Sequence, residues 1–237
     1  MSASQKTTSD RSQPPVLVTG SAGFIGFHVA SQLLDQGRTV VGVDNLNPYY
    51  DVNLKLARNA QLEERDGYTF VKGDLCDSRL VNDLFDQHGF QRVVHLAAQP
   101  GVRYSIEQPE KYIQANVIAF FTVLEACRHA KVQHLVFASS SSVYGMNTRQ
   151  PFSVHDNVDH PISLYAATKK SNELIAHSYA DLFGLPLTGL RYFTVYGPWG
   201  RPDMAPIKFC TSIKNDKPLT LFNHGDMDRD FTYVEDM

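Results

Sequence analysis

Along most of this chain, short apolar runs alternate with longer segments in which apolar residues recur every three or four positions. The short runs predict β-strands at 16–19, 39–44, 69–72, 92–96, 134–139 and 186–191, and the longer segments predict α-helices at 26–36, 52–65, 78–87, 109–130 and 164–183. Strands that alternate with helices are typical of βαβ units. We therefore expect an α/β protein with a doubly wound parallel sheet.

The helix predicted at 109–130 has a clear amphipathic pattern. Ile113, Val117, Phe120, Phe121 and Leu124 are spaced so that they share one side of a helix. We expect this side to pack against the sheet as part of the core.

Three glycines directly follow the first predicted strand: Gly20, Gly23 and Gly26. One glycine permits a tight turn, one lets the backbone approach a pyrophosphate, and one lets the next helix pack closely on the strand. The helix that begins near Phe24 and Ile25 would present its unpaired N–H groups to that pyrophosphate. The pattern predicts a dinucleotide site in a Rossmann fold.

A carboxylate ends the second predicted strand, at Asp44. Its distance from the glycines suits an acid that accepts a hydrogen bond from the adenosine ribose. Because a carboxylate there would repel a 2′-phosphate, we expect NAD rather than NADP as the cofactor.

The residue pattern divides the chain into three parts. Residues 1–13 are rich in Ser, Thr and Gln and are predicted to be a disordered tail. Residues 14–197 are predicted to form the NAD-binding Rossmann domain. From 198 onward, prolines and glycines interrupt the strand–helix alternation, so 198–237 is predicted to begin a smaller, incomplete substrate lobe.

Composition excludes several classes of function. A net charge of −3 over 237 residues argues against nonspecific nucleic-acid binding. The spacing of Cys76, Cys127 and Cys210 fits neither a zinc site nor a disulfide framework, and the nine histidines are scattered, so we expect no metal. The tail has no apolar run that could serve as a signal peptide or membrane anchor, so we expect a cytoplasmic protein that does not bind membranes.

Tyr165 and Lys169 are four residues apart, which places a phenol and an ammonium on one side of a helix. A phenol with a pKa of about 10 is a weak base at neutral pH, but a nearby ammonium and a positive nicotinamide favour the phenolate. Lowering the pKa to near 7 requires roughly 4 kcal/mol. The serine run at 139–142 and the glycine turn favour a proton-transfer role over an ordinary helix surface.

These features together resemble the extended short-chain dehydrogenase/reductase family of NAD-dependent sugar-nucleotide epimerases and dehydratases. The resemblance covers residues 15–237, and segments 47–55, 98–105 and 191–205 are most similar to the UDP-glucuronate 4-epimerase subgroup. It implies that NAD contacts Asp44, Asn45, Asp74, Leu75, Leu96, Ala97, Ala98, Asn116, Tyr165, Lys169 and Phe193, in addition to the glycine turn. It also implies that Tyr165 is the catalytic base, with Ser140 and, as a second candidate, Ser142 bonded to the reacting hydroxyl. Substrate contacts are implied for Arg103, Ser141, Thr194, Arg201 and Arg229.

The serine run separates subgroups of this family. Dehydratases carry an Asp–Glu pair, and decarboxylases a Glu, in the segment where this chain has Ser141 and Ser142. Elimination needs an acid and a base, so their absence favours oxidation and re-reduction at C4. Thr194, the serines and Arg201 would then hold the sugar carboxylate, with a solvated loop arginine as an equally weighted alternative for Arg201. Arg229 would bind the diphosphate or, alternatively, form a surface ion pair with a neighbouring Asp.

The expected function is interconversion of UDP-glucuronate and UDP-galacturonate through a 4-keto sugar. A 4-epimerase of a neutral or N-acetylated UDP-sugar and a noncatalytic NAD-binding protein are the alternatives. The resemblance also suggests a homodimer formed through the helices that carry Asn116 and Tyr165. Family members continue for roughly another hundred residues, a scale that fits a domain of ordinary size. We therefore expect this chain to bind NAD but to bind and convert UDP-glucuronate weakly, whereas an extended chain would be active.

Overall fold

The computed structural model of the protein describes residues 13–219, 221–226 and 228–237. Apart from Gln13, the tail predicted to be disordered lies outside the described residues. Six strands form the main sheet: β1 (Val16–Thr19), β2 (Val40–Asp44), β3 (Tyr68–Lys72), β4 (Arg92–His95), β5 (His134–Ala138) and β6 (Leu187–Leu190). The helices between them are α1 (Phe24–Asp35), α2 (Val52–Glu63), α3 (Ser78–His88), α4 (Tyr104–Glu107), α5 (Pro109–Tyr112), α6 (Ala119–Ala130) and α7 (Leu164–Phe183).

The main sheet is parallel throughout, with the strand order β3-β2-β1-β4-β5-β6. The chain first builds outward from β1 to β3 and then returns to the other side of β1 to place β4. The order therefore reverses between β1 and β4, and a crevice opens there at the carboxyl ends of the strands. This arrangement confirms the predicted doubly wound Rossmann fold.

Side chains at the helix starts explain where several helices begin. Asp51 precedes α2, and its carboxylate accepts the N–H of Asn53 in the first turn of that helix. Asp77 precedes α3 in the same way, and its carboxylate accepts two N–H groups of the first turn. Ser163 accepts the Ala166 N–H and so caps α7. Helix α1 differs, because it starts after Gly23 with no side-chain cap. Its first N–H groups therefore have no side-chain acceptor and can bind an anion.

The helix predicted at 109–130 is not one uniform α-helix. A π-helical segment, Ile113–Ile118, lies between α5 and α6. Its i→i+5 hydrogen bonds put more residues into each turn than an α-helix has, so each residue rotates the chain by a smaller angle. The apolar positions before and after this segment therefore do not share the single side that a regular helix would give them. Phe120 and Leu124 are fully buried as expected, but Ile113 and Phe121 are 42% and 44% exposed, so their assignment to the core was wrong.

The last part of the chain adds a second, two-stranded sheet. Strand β7 (Thr194–Tyr196) pairs in parallel with β8 (Phe231–Tyr233), and helix α8 (Ala205–Lys214) lies between them in sequence. Val195 and Val234 pack against Phe24 at the start of α1. The boundary predicted at 198 falls between the two paired strands, and the division into two lobes stays a prediction. Within the described residues, no helix is long and apolar enough to span a membrane.

Candidate active site

A cleft lies at the carboxyl ends of the main strands, where the strand order reverses. Most of the residues predicted to bind cofactor or to take part in catalysis line it: Gly20, Gly23, Phe24, Ile25, Gly26, Asp44, Asn45, Asp74, Leu75, Leu96, Ala97, Ala98, Ser140, Tyr165, Lys169 and Phe193. Arg201, predicted to bind the sugar carboxylate, lines the same cleft. Residues from the ends of the strands, from α1 and α7, and from the loop after β7 therefore meet at one site.

The glycine turn is packed too tightly for side chains. Gly20 has φ +70°, and a Cβ on it would lie 2.8 Å from the backbone nitrogen of Ala97. A Cβ on Gly26 would lie 2.1 Å from the carbonyl oxygen of Gly20. The turn thus holds α1 against β1 and leaves the uncapped start of α1 facing the cleft. This is the geometry that a pyrophosphate requires.

Asp44 is buried at the end of β2 and carries an ion pair that the sequence analysis missed. Its Oδ1 accepts the Leu46 N–H at 2.8 Å and the Lys55 ammonium at 3.3 Å. Oδ2 has no hydrogen-bond partner among the described residues, so it can accept a ribose hydroxyl. Lys55 also lines the cleft. Its only sequence signal was its place in segment 47–55, which the subgroup resemblance highlighted.

A second carboxylate, Asp74, lies beside the same part of the cleft. Burial works to raise its pKa, but hydrogen bonds from the backbone N–H of Cys76 and from the Asn45 amide lower it overall. The Asn45 Nδ2 donates to Asp74 Oδ2 at 3.2 Å. These two side chains therefore orient each other at the edge of the predicted cofactor site.

Lys169 is buried on α7, and its Nζ donates a hydrogen bond to the carbonyl oxygen of Ala138 at 2.8 Å. Burial lowers the pKa of Lys169 to about 8. The bond holds the ammonium at the end of β5, directly before the serine run. Lys169 therefore reaches the cleft as a cation with a neutral partner.

Tyr165 lies one helical turn before Lys169 and is half-buried. Burial raises the pKa of its phenol, while a hydrogen bond with Ser140 and the charge of Arg201 act in the opposite direction. Burial thus keeps the pKa of Tyr165 raised in the protein alone, whereas the lowered pKa predicted from the sequence also required a positive nicotinamide. Ser140 itself accepts the Ser142 N–H at 3.2 Å, which leaves its hydroxyl hydrogen to donate to Tyr165.

His95, at the end of β4, is satisfied within the core. Its Nδ1 lies 3.0 Å from Thr19 Oγ1, which also accepts the N–H groups of Leu96 and Ala97 at 3.1 Å each. Burial, and secondarily the charge of Lys169, lowers the pKa of His95 to about 3. The imidazole is therefore neutral at physiological pH. Among the described residues, no group of three or more His, Cys, Asp or Glu could hold a metal ion.

Arg201 is paired with a carboxylate that the sequence analysis did not consider. Its Nε donates to Asp203 Oδ1 at 3.0 Å, and its Nη2 donates to Oδ2 of the same residue. Tyr49 donates to Asp203 Oδ2 at 3.1 Å. The Arg201 side chain is 21% exposed, so it is not the solvated loop arginine of the alternative interpretation.

The remaining predicted ligands do not line the cleft. Asn116 is buried in the π-helical segment, where it bonds both backbone groups of Gln99 and the hydroxyl of Thr168. Ser141 and Ser142 lie in a short 3₁₀ helix, and Thr194 begins β7. Arg103 and Arg229 are exposed. Asn116 thus supports the wall of the cleft, and ligand roles for all of these residues stay predictions.

A sequence model of the NAD dependent epimerase/dehydratase family matches residues 16–237. The chain belongs to this family. The glycine turn, the uncapped start of α1 and the free oxygen of Asp44 fit the NAD on which the family depends.

Members of the NAD dependent epimerase/dehydratase family with named activities resemble this chain closely. UDP-glucuronate 4-epimerase 3 of Arabidopsis thaliana is 54% identical over 226 residues, which cover 94% of this chain and 52% of the plant protein. The structure of UDP-glucuronic acid 4-epimerase from Bacillus cereus, in complex with UDP-glucuronic acid and NAD, is 38% identical with a TM-score of 0.87, and the match covers 94% of this chain and 70% of that one.

A second solved member of the family carries a different ligand. UDP-N-acetylglucosamine 4-epimerase from Methanobrevibacter ruminantium M1, in complex with UDP-N-acetylmuramic acid, is 32% identical with a TM-score of 0.83. The match covers 94% of this chain and 70% of that one. In the sequence comparisons, the match to this chain covers 52% to 66% of the length of three relatives.

The pairing of Asp44 with Lys55 predicts how this protein discriminates between NAD and NADP. Asp44→Ala removes a charged acceptor, so NAD affinity should fall about tenfold or more. It also leaves Lys55 without its carboxylate, so the affinity for NADP should rise relative to NAD. Calorimetric titration with both nucleotides measures the ratio of the NAD affinity to the NADP affinity.

In the double variant Asp44→Ala/Lys55→Met, the relative gain in NADP affinity should disappear. Asp35→Ala, which removes a surface carboxylate, serves as the control. An unchanged NAD to NADP ratio in Asp44→Ala would contradict the prediction.

Proposed function

We propose that this protein interconverts UDP-glucuronate and UDP-galacturonate by oxidising and re-reducing C4 of the sugar. One observation carries the proposal: Tyr165 and Ser140 line the same cleft, which has the dinucleotide turn on one side and Arg201 on the other. Tyr165, as the proton acceptor, thus lies between the proposed NAD site and Arg201, whose charge suits a carboxylate.

The residues of the cleft divide the work of the reaction. The glycine turn and Asp44 would hold NAD, which would supply a hydride acceptor and donor for C4. Tyr165 takes the proton of the C4 hydroxyl, and the hydrogen bond from Ser140 stabilises the phenolate that results. Lys169, held by the Ala138 carbonyl, keeps a positive charge one turn away on the same helix. Return of hydride to the opposite face of the 4-keto sugar then inverts C4.

The side of the cleft near Arg201 suits binding of the sugar carboxylate without removal of the neighbouring C5 proton. Arg201 uses its Nε and Nη2 for Asp203, and its remaining Nη1 can donate to the substrate. The hydroxyls of Ser141, Ser142 and Thr194 are proposed as further donors. None of these side chains is an acid or base that could remove the C5 proton, so elimination is disfavoured and epimerisation is favoured.

A neutral or N-acetylated UDP-sugar is the nearest alternative substrate, because Tyr165, Lys169 and Ser140 would serve it equally well. Arg201 distinguishes the two, since its remaining Nη1 can make a charge-assisted hydrogen bond with a carboxylate but not with a neutral sugar. A noncatalytic NAD-binding role is the third possibility. Turnover of UDP-glucuronate, UDP-glucose and UDP-N-acetylglucosamine separates all three.

We also propose that the protein is a homodimer. Apolar side chains stay exposed on the outer side of the π-helical segment, α6 and α7: Ile113, Ile118, Phe121 and Leu174 are 40% to 56% exposed. These are the helices that carry Asn116 and Tyr165. A second copy of the chain could bury this side without disturbing the cleft.

The central test is turnover of UDP-glucuronate by the purified protein with NAD, followed by separation of the two sugar nucleotides. We expect UDP-galacturonate to form slowly and with no net NADH, in agreement with the weak conversion predicted from the sequence. Tyr165→Phe removes the proton acceptor but keeps the ring, so the rate should fall at least about a hundredfold while NAD binding persists. Tyr179→Phe, on the same helix but away from the cleft, should be near wild type. Turnover by Tyr165→Phe close to wild type would refute the role of Tyr165.

Arg201→Ala tests the carboxylate assignment. Because only UDP-glucuronate has a carboxylate to lose, its affinity should fall about tenfold or more, whereas UDP-glucose should change little. Calorimetry on the NAD-loaded protein measures both affinities, and Arg79→Ala on the exposed side of α3 is the control. Equal losses for the two ligands would give Arg201 a structural role instead.

Phe121→Asp tests the dimer. A charge in a buried interface is costly, so the variant should sediment as a monomer while the wild type sediments as a dimer. Ile213→Asp, at an exposed position of α8, should leave the dimer intact. A wild-type protein that sediments as a monomer at micromolar concentration would reject the proposal.

A further inference from the structure

Arg58, on α2, is the largest fully buried side chain among the described residues. Its guanidinium makes five hydrogen bonds. Nε and Nη2 both donate to the carbonyl oxygen of Trp199, Nη2 also reaches that of Gly200, and Nη1 donates to the carbonyl oxygen of Ala22 and to the hydroxyl of Tyr50. Neither the sequence pattern nor the proposed mechanism assigned this residue a role.

The partners of Arg58 belong to the two sides of the cleft. Ala22 lies inside the glycine turn, between Gly20 and Gly23. Trp199 and Gly200 immediately precede Arg201 in the loop after β7. A single side chain thus bonds the backbone of the cofactor turn at 3.2 Å and the backbone next to the carboxylate-binding arginine at 3.1 Å. Within the described residues, no other side chain bonds both segments.

The chemistry of these bonds indicates a geometric role. All of the hydrogen-bond acceptors are neutral, so Arg58 is not held by an ion pair. A buried guanidinium is tolerated only when its donors are satisfied, and its planar fork fixes the directions of those donors. Moving Ala22 or Trp199 would leave a buried donor without a partner. The two backbones are therefore constrained relative to each other.

The loop that Arg58 holds also needs support. Trp199 has φ +60°, an unfavourable conformation for a residue with a Cβ. Its ring packs 5.9 Å from that of Phe27 on α1, and His28 Nε2 lies 2.9 Å from the carbonyl oxygen of Pro198. The segment before Arg201 is thus attached to the same helix that follows the glycine turn. A shift of the turn upon dinucleotide binding would be passed to this loop.

We propose that Arg58 is a positioning residue that sets Arg201 relative to the bound dinucleotide, so that recognition of the substrate carboxylate depends on an occupied cofactor site. The inference rests on the proposed function of Arg201. Arg58 itself touches neither ligand in this arrangement and acts through the carbonyl groups of Ala22 and Trp199. A purely structural arginine would instead affect stability without changing substrate preference.

The first test uses Trp199, the single tryptophan of the chain, as its own reporter. Trp199 does not line the cleft, so a change in its fluorescence during NAD titration reports on the loop. We expect NAD to shift the emission of the wild type and the shift at saturating NAD to fall by at least about half in Arg58→Lys, which keeps the charge but loses the fork. Arg65→Lys is the control, since the Arg65 side chain bonds only α1 residues among those described. Absence of a shift in the wild type, or an equal shift in both proteins, would overturn the proposal.

The second test is a double-mutant cycle on the NAD-loaded protein. Arg58→Lys should weaken UDP-glucuronate about tenfold and UDP-glucose about twofold at most, and it should have almost no further effect in an Arg201→Ala background, because coupled residues are not additive. Equal, additive losses of affinity for both sugar nucleotides would show a structural role only.

If Arg58→Lys does not fold, Tyr50→Phe removes a single hydrogen-bond partner of Arg58. It should change the affinities for the two sugar nucleotides in the same directions by smaller factors. If the wild type binds no UDP-glucuronate, the proposed function fails, and the fluorescence result alone decides the role of Arg58.

Discussion

The cofactor side of this protein depends on the tight packing around the carbonyl oxygen of Gly20. Gly23 donates its N–H to this oxygen at 2.9 Å, and a Cβ on either Gly23 or Gly26 would lie within 2.9 Å of it. The turn can close only because both positions lack side chains. As a result α1 begins against β1, its first N–H groups face the crevice between β1 and β4, and the end of β4 packs against Gly20.

Four cations in or beside the cleft have partners that differ in charge, and the difference matches their proposed roles. Lys169 and Arg58 donate to neutral acceptors, so their charges are not cancelled: one keeps a cation near Tyr165, and the other orients two backbones. Lys55 and Arg201 are paired with Asp44 and Asp203, which moderates their attraction for anions. A ligand must therefore compete with, or add to, an existing carboxylate at those two positions. This favours ligands that fit the remaining donors over any anion that enters the cleft.

The protein alone does not hold Tyr165 ready as a phenolate. Burial raises the pKa of the phenol, and only Ser140 and the charge of Arg201 oppose that effect. In the proposed reaction the missing stabilisation comes from the positive nicotinamide, which would make the base effective only when cofactor is present. Arg58 would add a second dependence on cofactor, since it attaches the Arg201 loop to the turn that binds the pyrophosphate. Both features link the chemistry of the sugar to an occupied NAD site.

The amino-acid sequence by itself determined the elements that depend on local spacing. The strand–helix alternation predicted the sheet, the three glycines predicted the turn, and the four-residue spacing predicted that Tyr165 and Lys169 share one side of α7. It failed for Ile113, because the π-helical segment changes the rotation between Ile113 and the buried side of α6. It also failed for Phe121, which lies on α6 outside the side that Phe120, Val123 and Leu124 bury.

Only the tertiary structure decided which side chains meet across the cleft. Arg58 and Trp199 are 141 positions apart, and Tyr49 and Asp203 are 154 apart. Such pairs leave no periodic signal, since hydrophobic patterns report which side of an element is buried but not which distant element covers it. The pairing of Lys169 with Ala138 rather than Tyr165 arose in the same way. The order of the parallel strands, and not the spacing along any one of them, brings these groups together.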